Sequence, residues 1–450
     1  MTVPAEHRTA VRLPLDPGPP IDPFALAGST GIVFRTAERT LIGLGRFLTL
    51  TLPHGLEDPA AVDDLARTLA GVTCEDRFDP ETSGVIAFGA LPFDRSRPGT
   101  LVVPEIIYGT ESSGAEWVTV LAPDRSGLPD GSDGLRTWLV GRSPSRPVPS
   151  RGRPAGRHPT IVPHTSDSSF ESMVAESVRA VQRNEVAKVV VSRQVDVRMG
   201  EPIDVADLLA RWHRLEPTAS LFSMPTSRGQ LVGASPELLV ERNGERVRSR
   251  PLAGTTDRTQ GTASLLPREL LSSTKDSAEH RLVVEAIGEV LAPLCSDLDV
   301  PAEPDLVHLH NITHLGTSVV GTLAPRSDGS TPTALELVAE LHPTPAVGGV
   351  PRDRALRLIS RLEPEERGHF AGPVGYVDAR GDGRWMIGIR AMTVSGPDAL
   401  LAAGVGVVQG SDPRTELDEV TLKLEAAFDA LAPGVPFTTA DGPPAHEAVG

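Results

Sequence analysis

Several things are scarce in this chain, and each scarcity excludes something. There are two cysteines, Cys74 in GVTCED and Cys295 in PLCSDL, and no CxxC spacing. Neither a disulfide framework nor a cysteine zinc cluster is expected, and an intracellular, cytoplasmic setting follows. Aromatic residues make up only 4%, so burial rests on Ala, Val, Ile and Leu, and a stacking platform for single-stranded nucleic acid is not expected. Positive charge is short as well: 43 Lys and Arg face 59 Asp and Glu, a formal net charge of −16. A chain of that sign repels nucleic acid and anionic membranes, and neither is an expected partner. No apolar run reaches membrane-spanning length, and the N-terminus has no basic-then-apolar leader. An anionic ligand would need cations gathered locally.

What is abundant is turn chemistry. The 43 Gly and 42 Pro exceed average usage, which rules out a coiled coil and predicts many short connections. The length of 450 residues allows about three domains at most. Residues 1–20 and 436–450 read as polar tails. Residues 143–163, SPSRPVPSRGRPAGRHPTIVP, read as a Pro- and Arg-rich linker. It separates a strand-rich N-terminal region, 21–142, with one helix near 60–70, from a catalytic domain over 164–435. In the latter, Ser168 and Glu171 suggest a capping box, and Asp204 and Asp412 suggest helix caps. Asn243-Gly244 and Asp382-Gly383 suggest hairpins. Hairpins interleaved with helices indicate an α+β fold rather than a doubly wound parallel sheet.

A few residues do not suit a plain core. Glu279 falls on the apolar face of a helix with Leu282, Val283, Ala286, Ile287, Val290 and Leu291, and a buried carboxylate needs a cation or donors to meet it. Glu416, Glu419 and Lys423, at i, i+3 and i+7, converge beside a core stripe of Leu417, Val420, Leu424, Phe428 and Leu431. Ordinary ion pairing accounts for each group alone; together the three glutamates would make a hard-oxygen Mg²⁺ site. Lys188 alternates with Val190 and Ser192 on one face of a strand. A lysine, ordinarily near 10.4, works as a base at neutral pH only when desolvated or set beside cations. Glu237 stands at the mouth of the ELLVER strand, where a general acid fits. Arg390 ends WMIGIR on the face of Gly388, whose missing side chain suggests room for a ligand. Surface snorkelling or pairing is the plainer account of each. GVGVVQG, 404–410, lacks the dinucleotide spacing, although its glycines would let backbone amides approach an anion. His308, His310 and His314 lack the surrounding signature of a zinc site.

The ordered strings KVVVSR (188–193), GASPELLVER (233–242), PLAGT (251–255), STKDSAEH (273–280), THLGTSVVG (313–321), HPTPAVGG (342–349), GIR (388–390) and GVGVVQGSDPRTELDEVTLKL (404–424) closely resemble the chorismate-binding region of the menaquinone, siderophore and tryptophan family. The resemblance is strongest to the isochorismate synthases, and looser before the linker. It implies an anthranilate synthase component I-like fold, with layered antiparallel sheets flanked by helices and the site in a cleft. It implies Lys188 as general base, Glu237 as general acid and Glu279, Glu416 and Glu419 as Mg²⁺ carboxylates. Arg390, Lys423 and Gly404 would hold the substrate, and Gly254, Thr255, His314 and Ala346 would line its pocket.

The implied reaction is Mg²⁺-dependent isomerisation of chorismate to isochorismate, by water addition at C2 and loss of the C4 hydroxyl. The implied partner is the chorismate dianion alone, taken by a monomer without a glutaminase subunit. Three alternatives stay in view. Anthranilate-type relatives, which use ammonia, carry Gln where Lys188 stands. Salicylate synthases carry Thr in place of Ala346. A non-catalytic binder would not need both proton-transfer groups. The PLAGTTDRTQGTASLLPREL stretch, 251–270, has the Gly, Thr and Ser content of a lid over the site.

Overall fold

Antiparallel pairing dominates the computed structural model, which describes residues 9–76, 84–121, 128–129, 131–143, 159–257 and 270–438. Among these residues the strands form a 13-stranded sheet, a 9-stranded sheet and a 3-stranded sheet. The first two sandwich one continuous apolar core, so the α+β expectation holds.

Near one end of the largest sheet, the strand Lys188–Arg198 pairs antiparallel with Asp398–Val407 over ten registered positions. Its β-branched run suits a pleated surface. Because the Arg352–Leu362 and Pro413–Leu431 helices pack on these strands, the first eight residues from Lys188 are all buried, and the polar–apolar alternation of a half-exposed strand is lost. Register places Val190 opposite Gly406 and Ser192 opposite Gly404. Opposed residues in an antiparallel pair share a face, so both glycines lie on the face of Lys188.

The N-terminal strands extend both large sheets. Ile32–Arg35 pairs with Ser220–Thr226 in the first, and Ile86–Ala90 pairs with Pro373–Asp378 in the second. The tail expected over 1–20 gives way to the strand Thr9–Leu15, held by Glu116–Leu121 on one side and Thr73–Asp76 on the other. Its alternating apolar residues find a sheet edge, a tertiary partner that local composition does not report. The linker is likewise shorter than expected, since Thr160–Pro163 pairs with the end of Lys188–Arg198; residues 144–158 lie outside the described residues. So do 439–450 of the C-terminal tail and 258–269 of the expected lid, whose first part forms the strand Leu252–Asp257 of the small sheet.

Helix starts follow capping chemistry. Asp204 caps Val205–Leu215 and Asp412 caps Pro413–Leu431, each accepting from two backbone amides. The cap of Asp167–Gln182 is Ser166 rather than Ser168, with its hydroxyl accepting from Ser169 N at 3.2 Å. In the second hairpin the left-handed residue is Gly381, at φ 83°, so the turn lies ahead of Gly383, which is already in the strand Gly383–Ile387.

Candidate active site

Two crossings between the large sheets build the centre of the site. The chain leaves the first sheet after Gly229–Ser235 and enters the second at Leu238–Asn243, and Glu237 lies in this crossing. It returns from Gly383–Ile387 to Ala391–Ser395, and Arg390 lies in that crossing. Arg390 has φ 50°, a left-handed conformation that costs a non-glycine residue energy. Its carbonyl accepts from Ala234 N at 3.0 Å, which ties the two crossings together. The space at Gly388 is filled by protein rather than ligand: a Cβ there would stand 3.0 Å from the carbonyls of Gly372 and His369.

Ten of the twelve expected site residues line one cavity: Glu237, Gly254, Thr255, Glu279, His314, Ala346, Arg390, Gly404, Glu419 and Lys423. The cavity holds about 70 Å³, inside a solvent-open cleft of about 660 Å³. Lys188 and Glu416 stand immediately behind it. Lys188 is 0% exposed, and its Nζ lies 2.9 Å from Glu279 Oε1 without making a well-aligned hydrogen bond. Glu416, 1% exposed, receives Lys275 Nζ at 2.7 Å. Glu419 receives Lys423 Nζ at 2.6 Å, and Lys423 also donates to Gly404 O at 3.0 Å. The glutamates are thus the cationic partners' counterparts one for one.

Burial and charge tune these groups in opposite directions. Burial pushes the Glu237 carboxyl up to about 7, outweighing the Leu252 amide, Lys188, Lys423 and Arg390, which all favour its charged form. Burial and the neighbouring Glu419 raise Glu416, against the pull of Lys275. Burial also works on Glu419, but Lys423, Lys275 and the Thr255 hydroxyl together take it below the usual carboxylate range. Burial lowers Arg390 to about 10, so it stays a cation at neutral pH.

His314 is a neutral connector in this arrangement. Burial, with Arg390 and Lys423 nearby, lowers it to about 3. Its Nδ1 lies 3.1 Å from Gly254 O and 3.2 Å from Thr255 Oγ1, and a carbonyl only accepts, so the proton is on Nδ1. Nε2 is then free to accept from Arg390 Nη2 at 3.3 Å. The imidazole therefore orients the guanidinium, while Thr255 connects the same chain of bonds to Glu419. His308 pairs with Thr313, and His310 is exposed.

Three residues join the site unannounced by the sequence reading. Lys275 precedes Glu279 by one helical turn, a spacing that could have flagged it. Gly406 leaves room for the pair: a Cβ would stand 2.2 Å from Glu279 Oε1 and 2.9 Å from Lys188 Cε, so a larger residue would push both side-chain ends aside. Its alternation with Gly404 on one strand was the available signal. Arg367, buried at the cavity wall, had none.

Carboxylates of Glu279, Glu416 and Glu419 suit a hard divalent cation in donor type, and all three act electrostatically on Lys275. With the lysines engaged, no group of three or more His, Cys, Asp or Glu side chains among the described residues is assembled to hold a metal ion. A larger cavity of about 390 Å³ between the sheets is lined by five arginines and five carboxylates. Most of its charges pair with one another, as in Arg39–Glu111 at 2.7 Å and Arg242–Asp382 at 2.6 Å. Among the described residues no helix is long and apolar enough to cross a membrane.

Comparison with known proteins agrees with this architecture. The profile of the family described as "Chorismate binding enzyme" matches residues 32–432. Isochorismate synthase DhbC of Bacillus subtilis is 34% identical over 81% of this chain and 86% of its own. Isochorismate synthase MenF of Escherichia coli superposes with a TM-score of 0.74 at 23% identity, covering 94% of each chain. Anthranilate synthase component I of Streptococcus pneumoniae does so with a TM-score of 0.68 at 23% identity, covering 87% of this chain and 92% of its own. These two share the fold, as the expected fold class requires. The chain, matched from its first central strand to its last helix, belongs to the chorismate-binding enzyme family.

Proposed function

We propose that the protein is an isochorismate synthase, an isomerase that converts chorismate to isochorismate. The observation that carries this is Glu237, a carboxyl held by burial up to about 7 in a cavity whose other walls present cations. Such a group keeps its proton at working pH and can release it to a leaving group.

In the proposed chemistry, Arg390 and Lys423 bind substrate carboxylates, with His314 fixing the guanidinium. Lys188 takes a proton from the water that attacks C2. As the new C–O bond forms, the ring double bonds shift and the C4–O bond breaks, and Glu237 delivers its proton so that the C4 hydroxyl departs as water. One water is added and one is lost. Lys188 then carries the extra proton and Glu237 lacks one, and exchange with solvent resets both. Since Glu279 stands between Lys188 and the cavity, its carboxylate must turn aside for the amine to reach the attacking water.

Glu279, Glu416 and Glu419 are the residues proposed to hold Mg²⁺. When bound, the ion would supply positive charge to a substrate carboxylate and offset the three glutamates. Their donor type and burial support this assignment, and displacement of the lysines would be needed to gather them.

Incubation of the purified protein with chorismate and Mg²⁺, with and without ammonium, followed by chromatography of the products, tests the proposal. Isochorismate alone in both samples is expected. Salicylate with pyruvate, an amino product formed only with ammonium, or unchanged chorismate would each overturn it.

A further inference from the structure

The outer edge of the Lys188–Arg198 strand is paired at both ends and open in the middle. Gly349–Val350 covers Lys188 and Val189, and Thr160–Pro163 covers Val195 to Arg198. Between them, the buried pair of Arg367 and Glu363 supplies the missing partners. Arg367 Nη2 donates to Val190 O at 2.8 Å, and Glu363 Oε1 accepts from Ser192 N at 2.8 Å. One acceptor and, two residues on, one donor are satisfied as a neighbouring strand would satisfy them. The two side chains are joined by a double contact, Nε to Oε2 at 2.9 Å and Nη2 to Oε1 at 2.5 Å. Arg367 Nη1 also donates to Val347 O at 2.7 Å, and its guanidinium lies 4.3 Å from the centre of the Phe93 ring.

These bonds use four of the five guanidinium N–H groups on the protein itself. Arg367 therefore reaches the cavity wall with almost nothing left to offer a ligand. Its partners lie two residues after Lys188 and one residue after Ala346. We infer that Arg367 and Glu363 are positioning residues that stand in for a strand and set the general base and the Ala346 loop at a fixed separation across the cavity. This rests on the isochorismate synthase reading, in which Lys188 acts in the chemical step and Arg390 and Lys423 hold substrate. Loosening the clamp should then slow chemistry and leave substrate binding nearly intact.

The test is steady-state turnover of chorismate by the full-length protein and its Arg367→Met, Arg367→Lys and Glu363→Gln variants, with circular dichroism to establish folding. A displacement of the base on the ångström scale costs about 100-fold, so Arg367→Met should lower kcat by about 30- to 100-fold with KM within about threefold. Arg367→Lys keeps the charge but not the fork and should recover little. Glu363→Gln keeps the planar shape and one acceptor oxygen, for Ser192 N and Arg367 Nη2, but sets an amide donor against Arg367 Nε, so it should lower kcat by about tenfold, less than Arg367→Met. A folded Arg367→Lys or Arg367→Met with wild-type kcat, or with its loss entirely in KM, would overturn the positioning role. Wild-type protein that makes no isochorismate in the same assay would instead overturn the functional reading, and this inference with it.

Discussion

Replacing Glu237 by Gln should stabilise the protein at alkaline pH while removing its activity. In the folded chain the carboxyl keeps its proton up to about 7, whereas the ordinary value is 4.5. Between these limits the folded state binds more protons than the unfolded state. The stability tied to that proton is therefore complete below pH 4.5 and is lost as pH rises through 7. The difference corresponds to about 3 kcal/mol, which Gln, neutral at every pH and nearly isosteric, does not forfeit. With an unfolding entropy of about 2.1 cal/mol/K per residue, that is about 3 °C for a chain of this length. Thermal denaturation of both proteins from pH 4 to pH 8.5 measures it, because titration of all other groups is common to the two. The variant's midpoint should gain about 3 °C on the wild type across that range, mostly between pH 5 and 7.5. Over the same range wild-type kcat should fall above pH 7 as the acid loses its proton. A difference in midpoint that is flat with pH, or that shrinks as pH rises, would refute the account of Glu237 as a carboxyl kept protonated by burial.

Lys188→Ala should lower kcat by about 10²–10⁴-fold, the usual worth of a positioned base, with fold retained by circular dichroism; near-wild-type turnover would remove it from the mechanism. Gly406→Ala places a methyl 2.2 Å from Glu279 Oε1, so it should displace the Glu279 and Lys188 side-chain ends and lower kcat less than Lys188→Ala does; a kcat equal to the wild type's would show that their resting position does not matter. Gly288→Ala, whose nearest neighbour would be Val300 at 3.7 Å, should instead add about 0.5–1 kcal/mol of helix stability, seen as a higher thermal midpoint. Mg²⁺ should raise the wild-type melting temperature and fail to raise that of Glu279→Gln; equal shifts in both would exclude Glu279 as a ligand.

The fold was legible wherever local chemistry decides structure. Asp204 and Asp412 announce their helices because a cap acts within one turn, and Leu417 to Leu431 announce a buried face because 3.6-residue spacing survives in any context. The errors fall where partners are distant in sequence. Thr9–Leu15 is short and flanked by polar residues, and only Glu116–Leu121 and Thr73–Asp76 make it a strand. Arg367 looks like any arginine in EPEERGHF until the gap in a strand more than 170 positions away is seen to lie against it.

The site residues became legible through their misfit. An ion pair and a metal ligand were competing accounts of Glu279, and what the structure shows is the ion pair: Glu279 pairs with Lys188, and the pair borders a cavity that also contains Glu237, Arg390, Lys423 and Glu419. Burying charges costs several kcal/mol per ion, which mutual attraction often only offsets, and hydrophobic residues of similar volume would pack there at no such cost. Three lysine–glutamate pairs around one small cavity are therefore poorly explained as stabilising devices. In the proposed function they are instead groups held dry beside one another, which a dianionic substrate and a divalent cation would draw into new partnerships. Under the proposed function the acidic chain would meet its anionic ligand with Arg390 and Lys423 set inside the cavity, Lys423 beside the Glu419 carboxylate that the proposed metal ion would take over.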